Sequence, residues 1–266
     1  MESRSHDHLS AQFRRNQAFQ IGLVASTSPT MRHAAFWTLS LCLAVPEIWG
    51  DEASHYSYRE PSRDGIGKVY LDREIAQTVS SHAITWLERR DREAEEKPTV
   101  VMENLALKPD DIVADIGAGS GYFSFLMAPL VPKGKVLAVD IQQEMLDFIE
   151  GRRKLGKVAN VETLLGTVED TRLPEGQVDL VLLVDAYHEF SHPREMMLSI
   201  VKGLAPAGRV VFLEYRGEDP AVQIKPLHKM TIKQLTREME AVGLRLIEVR
   251  DFLPTQHFLV FEKSKP

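Results

Sequence analysis

The chain of 266 residues carries a single cysteine, Cys42. One thiol closes no internal disulfide and builds no thiolate metal site, so neither kind of staple holds this fold. Long runs of basic residues are missing too, and the formal net charge is −6. A nucleic-acid partner gripped mainly through its phosphates is therefore not expected. Long apolar runs are scarce: the most prominent, from Ala34 to Val45, is too short to span a bilayer comfortably as a helix. No repeat of solenoid length recurs. What the chain does have is 44% hydrophobic residues, enough for a real core, and a length that suits one α/β domain plus a small addition.

Residues 1–30 are polar and irregular, and read as disordered. Met31-Arg32-His33, the apolar run and then Gly50 before a polar stretch match a secretory signal, so residues 1–50 read as a disordered start followed by an export segment. A translation start at Met31 would give that signal its usual position. Cleavage at Gly50 would leave a mature periplasmic or secreted chain without cysteine and with no stable membrane span. The alternative is an N-terminal helix packed on a cytoplasmic domain. Residues 51–97 read as a helical lid segment: a glycine loop at Arg63-Asp64-Gly65-Ile66-Gly67-Lys68-Val69-Tyr70, then a helix from about Asp72 with Ile75, Ala76, Val79, Ala83, Trp86 and Leu87 on one face.

The densest signal lies at Val113-Ala114-Asp115-Ile116-Gly117-Ala118-Gly119-Ser120-Gly121. A buried strand, Ile112 to Ile116, runs into three alternate glycines, and a helix with Phe123, Leu126, Met127 and Leu130 on one face follows. Strand, glycine turn and helix form the layout of a nucleotide-binding loop. Glycine lets the backbone turn sharply and a ligand approach it, and the helix start offers free N–H groups. A second strand, Lys135 to Asp140, ends in an acid able to take both hydroxyls of a ribose.

The G-x-G-x-G spacing with Asp115 just ahead resembles the class I S-adenosylmethionine (SAM) dependent methyltransferases. A dinucleotide fingerprint wants G-x-G-x-x-G, and here Tyr122 follows Gly121. The Leu-x-Pro-x-Gly pattern at Leu204 to Gly208 strengthens the likeness, and Arg-Asp-Gly-Ile-Gly-Lys together with Tyr-His-Glu-Phe looks like an exported-looking bacterial subgroup. The resemblance covers Pro98 to Lys263, so residues 98–266 are taken as the methyltransferase domain. It implies a Rossmann-like α/β fold: a seven-stranded, mostly parallel sheet, helices on both faces and an antiparallel last strand. It implies SAM as cofactor, with Gly117, Gly119 and Gly121 lining its methionine end, Asp115 near its amino group and Asp140 on the ribose. Ile141, Thr167, Val168, Glu169 and Asp185 are expected to complete the cofactor wall. Relatives often carry an acid where Thr167 stands, so Glu169 or the Val168 backbone is expected to hold the adenine. In the same family the segment before the glycines often covers the substrate, making Arg63, Tyr70 and His82 lid candidates. Export would also separate the enzyme from the cytoplasm, where SAM is made.

The fourth strand of the domain, Val178 to Val184, is almost wholly apolar and so buried on both faces. Asp185, Tyr187, His188 and Glu189 follow at its carboxyl end, where such sheets place their chemistry. His188 is expected to take a proton from the acceptor, Glu189 or Asp185 to orient it, and Tyr187 to stack on the acceptor or touch the methyl group. Glu214-Tyr215-Arg216 ends the next strand. No metal is expected, because the histidines lack paired helical spacing. The predicted activity is methyl transfer from SAM to a small-molecule acceptor by in-line displacement. A nicotinamide-dependent oxidoreductase and a SAM-binding protein without turnover are the alternatives.

Overall fold

The computed structural model describes residues 55–265. The start read as disordered, the expected export segment and Cys42 lie outside the described residues. Among those described, no helix is long and apolar enough to cross a membrane.

A small antiparallel sheet comes first: β1 (Tyr56–Tyr58), β2 (Gly65–Tyr70) and β3 (Arg73–Ala76), paired in that order. Here the structure corrects two expectations. The glycine loop continues as β2, and the helix expected from about Asp72 is absent. Leu71 and Asp72 both take positive φ, 44° and 69°, as a tight two-residue hairpin turn requires. Tyr70 then pairs with Arg73 and Val69 with Glu74. Ile75 and Ala76 suit a helical stripe and a buried strand alike, and the turn decides between them. Beyond Ala76 the helical pattern yields only a single 3-10 turn at Ser81–Ala83 and three short helices. These are α1 (Ile84–Leu87), α2 (Arg92–Glu96) and α3 (Pro98–Asn104).

The main domain alternates strand and helix. In chain order it runs β4 (Ile112–Ile116), α4 (Tyr122–Met127), β5 (Lys135–Asp140), α5 (Gln143–Gly156), β6 (Val161–Leu165) and β7 (Val178–Val184). It continues through α6 (Pro193–Gly203), β8 (Leu204–Tyr215), α7 (Ile232–Glu240), β9 (Leu244–Arg250) and β10 (Gln256–Lys263). The seven-stranded sheet has the order β6-β5-β4-β7-β8-β10-β9. Strands β4 to β8 are mutually parallel, while β10 is inserted antiparallel between β8 and β9. The mostly parallel fold with its antiparallel last strand is thus as expected.

Both faces of the sheet are covered. Along β7, Val181 and Leu183 pack with Met197, Ile200, Phe212 and Met239. Leu180 and Leu182 pack on the opposite side with Val101, Leu105, Phe123 and Ile149. Side chains alternate across a strand, so a strand apolar at every position must be buried twice. After β4 the chain builds β5 and β6 on one side, then crosses back to place β7 on the other. The crevice above β4 and β7, at their carboxyl ends, is the switch point where such sheets bind ligands.

Candidate active site

The glycine loop closes over the end of β4. The backbone N–H groups of Gly117 and Ala118 both donate to the Val139 carbonyl, at 2.9 and 3.0 Å. Gly117 and Gly119 have φ of 71° and 55°. A Cβ on Gly117 would stand 2.8 Å from the Cβ of Ala186, and one on Gly119 2.9 Å from Leu87 Cδ1. Any other residue would therefore be strained in backbone and blocked in space at both positions.

A cavity of about 480 Å³ opens on this loop. Asp140, at the end of β5, sits in its wall. One carboxylate oxygen accepts from Gly119 N and the other from Gln142 N, each at 2.9 Å. Burial raises the pKa of Asp140, while these backbone donors oppose the rise. Ile141 and Val168, each about two-fifths exposed, line the same space and offer an apolar slot for a flat ring. Asp185 takes a positive φ of 48° and lies against the cavity; its Oδ2 accepts from Gln256 Nε2 at 2.7 Å. Its Oδ1 is buried without a partner. Burial, then Glu96 and Glu214, hold this carboxyl well above the usual carboxylate range.

His188 lies at the far wall, in a 3-10 turn at Tyr187–Glu189. Its Nδ1 hydrogen donates to Glu214 Oε2 at 2.5 Å, and Glu214 Oε1 accepts from Tyr187 N at 3.0 Å. Nε2 meets Nδ1 of His228 at 3.1 Å. Burial works against a positive charge on His188, but Glu214, aided by Glu189 and Asp185, outweighs it and raises the imidazole pKa. The fully buried Glu214 thus fixes both the tautomer and the direction of Nε2.

Several expected site residues lie elsewhere. Asp115 is buried and accepts from Ser124 Oγ at 2.6 Å; it is not part of the cavity wall. Gly121 is off the wall too: a Cβ there would meet Ile149 of α5 at 2.8 Å, so this glycine serves close packing. The Thr167 hydroxyl accepts from the backbone amides of Glu169 and Asp170 within its own exposed loop, and neither Thr167 nor Glu169 lines the cavity. Tyr187 is fully buried, donates to Glu238 Oε2 at 2.6 Å and packs edge-on against Phe190 and Phe212. It cannot stack on an acceptor. The segment before the glycines does wall the cavity, but through Thr78, Val79, Trp86, Leu87 and Arg92 in place of Arg63, Tyr70 and His82. Arg92 and His228 were missed from sequence. Arg92 sat in a run of charges, and His228 in a polar loop 40 positions from its partner.

A family model described as a methyltransferase domain matches residues 107–254, more than half the chain. The chain belongs to the methyltransferase-domain family. The domain is 29% identical over 118 residues to the ubiquinone/menaquinone biosynthesis C-methyltransferase UbiE of Ectopseudomonas mendocina (strain ymp), covering 43% of this chain and 45% of that protein. It is 24% identical over 160 residues to the malonyl-[acyl-carrier protein] O-methyltransferase of Paenibacillus sp. (strain JDR-2), covering 59% and 53%. The chain spans about half the length of the curated relatives it matches. Among solved structures, a SAM dependent methyltransferase from Aquifex aeolicus shares the methyltransferase fold with a TM-score of 0.65 at 22% identity, over 69% of this chain and 98% of that one.

Proposed function

We propose that the protein transfers a methyl group from SAM to a small-molecule acceptor. The observation that carries this reading is one continuous cavity that runs from the glycine cradle and Asp140 to the His188–Glu214 pair. The residues present suit the cofactor. Gly117 and Gly119 present bare backbone to the cavity, Asp140 keeps lone pairs for ribose hydroxyls, and Ile141 with Val168 offers an apolar slot for adenine. Asp185 Oδ1, buried without a partner, suits the amino end of the methionine portion. When bound, SAM supplies a methyl group already activated by its sulfonium.

The protein's share is placement and proton handling. The cavity walls hold an acceptor atom in line behind the methyl carbon, which is worth several kcal/mol in orientation alone, on the order of 7 to 11 for ideal alignment. With SAM held by Asp140 and the glycine cradle, transfer would form one bond from the acceptor lone pair to that carbon as the carbon–sulfur bond breaks, leaving the electron pair on sulfur. An acceptor O–H or N–H passes its proton to Nε2 of His188, and Glu214 stabilises the charged ring that results. Glu189 flanks the same ring at 3.8 Å. We further propose that residues 31–50 direct the chain out of the cytoplasm.

Calorimetry with S-adenosylhomocysteine tests the cofactor reading. The full chain should bind it, and Asp140→Ala should weaken binding by about 2–4 kcal/mol through loss of a charge-assisted pair of hydrogen bonds. Unchanged affinity in a folded variant would sink the assignment. Transfer of a labelled methyl group into a metabolite extract then separates an enzyme from a protein that only binds SAM.

A further inference from the structure

Three side chains converge at the acceptor end of the cavity from two distant parts of the chain. His188 and Glu189 follow β7, while His228 lies in the loop between β8 and α7. Nε2 of His188 and Nδ1 of His228 are 3.1 Å apart. Oε1 of Glu189 is 3.4 Å from the His228 nitrogen and 3.8 Å from the His188 nitrogen. In a tetrahedral site with bonds of about 2.0–2.1 Å, neighbouring ligands stand roughly 3.3–3.4 Å apart. The three separations bracket that edge length. We propose that these three atoms form a site for a divalent transition-metal ion of the zinc type, with its fourth position open to the acceptor.

The surroundings support a ligand set more than a chain of hydrogen bonds. A bond between the two rings satisfies one nitrogen pair, but leaves Glu189 Oε1 beyond hydrogen-bond length from both. An ion at the centre uses all three. Glu189 is already oriented, since its other oxygen accepts from Val79 N at 2.9 Å. His188 has the outer support that metal-bound histidines usually show, a carboxylate on the remaining ring nitrogen. The backbone at His188 is held as well, its carbonyl accepting from Arg73 Nη1 at 3.2 Å. The neighbouring cations are engaged elsewhere: Lys225 pairs with Asp64 and Arg73 with Glu238. Two imidazoles and one carboxylate with a fourth position free is the donor set of many hydrolytic zinc centres.

The site narrows the acceptor class to molecules with a metal-binding oxygen or sulfur, such as a phenol, an enol or a thiol. A hydroxyl or thiol entering the fourth position gives one lone pair to the ion and becomes more acidic. Its proton leaves to solvent, and a second lone pair forms the bond to the methyl carbon while the carbon–sulfur bond breaks towards sulfur. The ion then occupies the atom of His188 that would otherwise take the proton, so the two uses exclude each other. This use of the ion rests on the methyl-transfer reading; its binding does not.

The test is a titration of the metal-stripped full chain with zinc chloride against a chelating dye, repeated with manganese and magnesium. One zinc per chain should bind with Kd below about 1 μM, tighter than manganese and far tighter than magnesium. His228→Asn and Glu189→Gln should each weaken zinc at least tenfold. Glu214→Gln, which leaves the three ligands in place and alters the support behind His188, should weaken it by roughly 10- to 100-fold. His228 is partly exposed, so its variant gives an answer even where Glu214→Gln fails to fold. Binding of S-adenosylhomocysteine, measured on the same samples, should survive in His228→Asn. Zinc binding without S-adenosylhomocysteine binding would keep the metal site and overturn the methyl-transfer reading. No zinc binding, or binding equal in every variant, as adventitious capture by His6, His8 or Cys42 would give, overturns the site.

Discussion

At the scale of single residues, Asp115 shows how a motif can keep its place and change its job. Its carboxyl is pushed up to about 6 because burial costs the charged form more than the bond from Ser124 and the nearby Arg92 return. The group is protonated in both folded and unfolded chains below about pH 4, so no penalty exists there. As pH rises through 4 to 6 the unfolded chain ionises first, and the folded state loses on the order of 3 kcal/mol relative to it. Asp115→Asn keeps an acceptor for Ser124 and has no proton to lose. Its stability advantage over the parent chain should therefore grow between pH 4 and pH 7 in urea denaturation. A pH-independent difference would exclude this account. The family resemblance implied a place for Asp115 beside the cofactor; its side chain instead faces Ser124, nine positions on. For His188, by contrast, position at a strand end was enough to predict a place on the cavity wall.

At the scale of elements, a buried ion pair ties the small sheet to the main domain. Arg73 of β3 donates from Nε and Nη2 to the two oxygens of Glu238 in α7, at 2.7 and 2.8 Å. Glu238 also accepts from Tyr187 and from Gln234, and it is fully buried. Removing the arginine strands a buried carboxylate, so Arg73→Ala should cost about 3–5 kcal/mol of stability. Because Arg73 also holds the His188 carbonyl, turnover should fall together with stability, whereas Arg73→Lys should recover part of both. Denaturation midpoints beside initial rates check this, and a stable, active Arg73→Ala would contradict it. Neither Arg73 nor Tyr187 was legible as a partner from local pattern, since they lie 165 and 51 positions from Glu238. The strands and helices of the main domain were legible, because each has an apolar run or stripe of the right period. The hairpin of β2 and β3 was not: Leu71-Asp72 is poor turn chemistry, yet both residues take positive φ.

At the scale of the whole molecule, the segment from Thr78 to Arg92 completes the cavity that the main domain leaves open at the glycine loop. That wall begins well after the proposed cleavage at Gly50, so processing there keeps every cavity-lining residue among those described. N-terminal sequencing of protein purified from its native host should find a start near Asp51 in a fraction outside the cytoplasm. A soluble cytoplasmic product that retains Ala34 to Val45 would refute export.

The order of strands and helices in the main domain, the glycine loop at Gly117 to Gly121, Asp140 and the position of His188 follow from sequence by itself, because each depends on contacts or periodicities within a few residues. The direction of Asp115, the burial of Tyr187, the choice of Trp86 and Arg92 for the cavity wall, and the meeting of His188 with His228 were decided only by tertiary structure. Each of those depends on a partner brought near by packing across the sheet, or on which face of a strand end turns inward, and spacing along the chain carries no record of either.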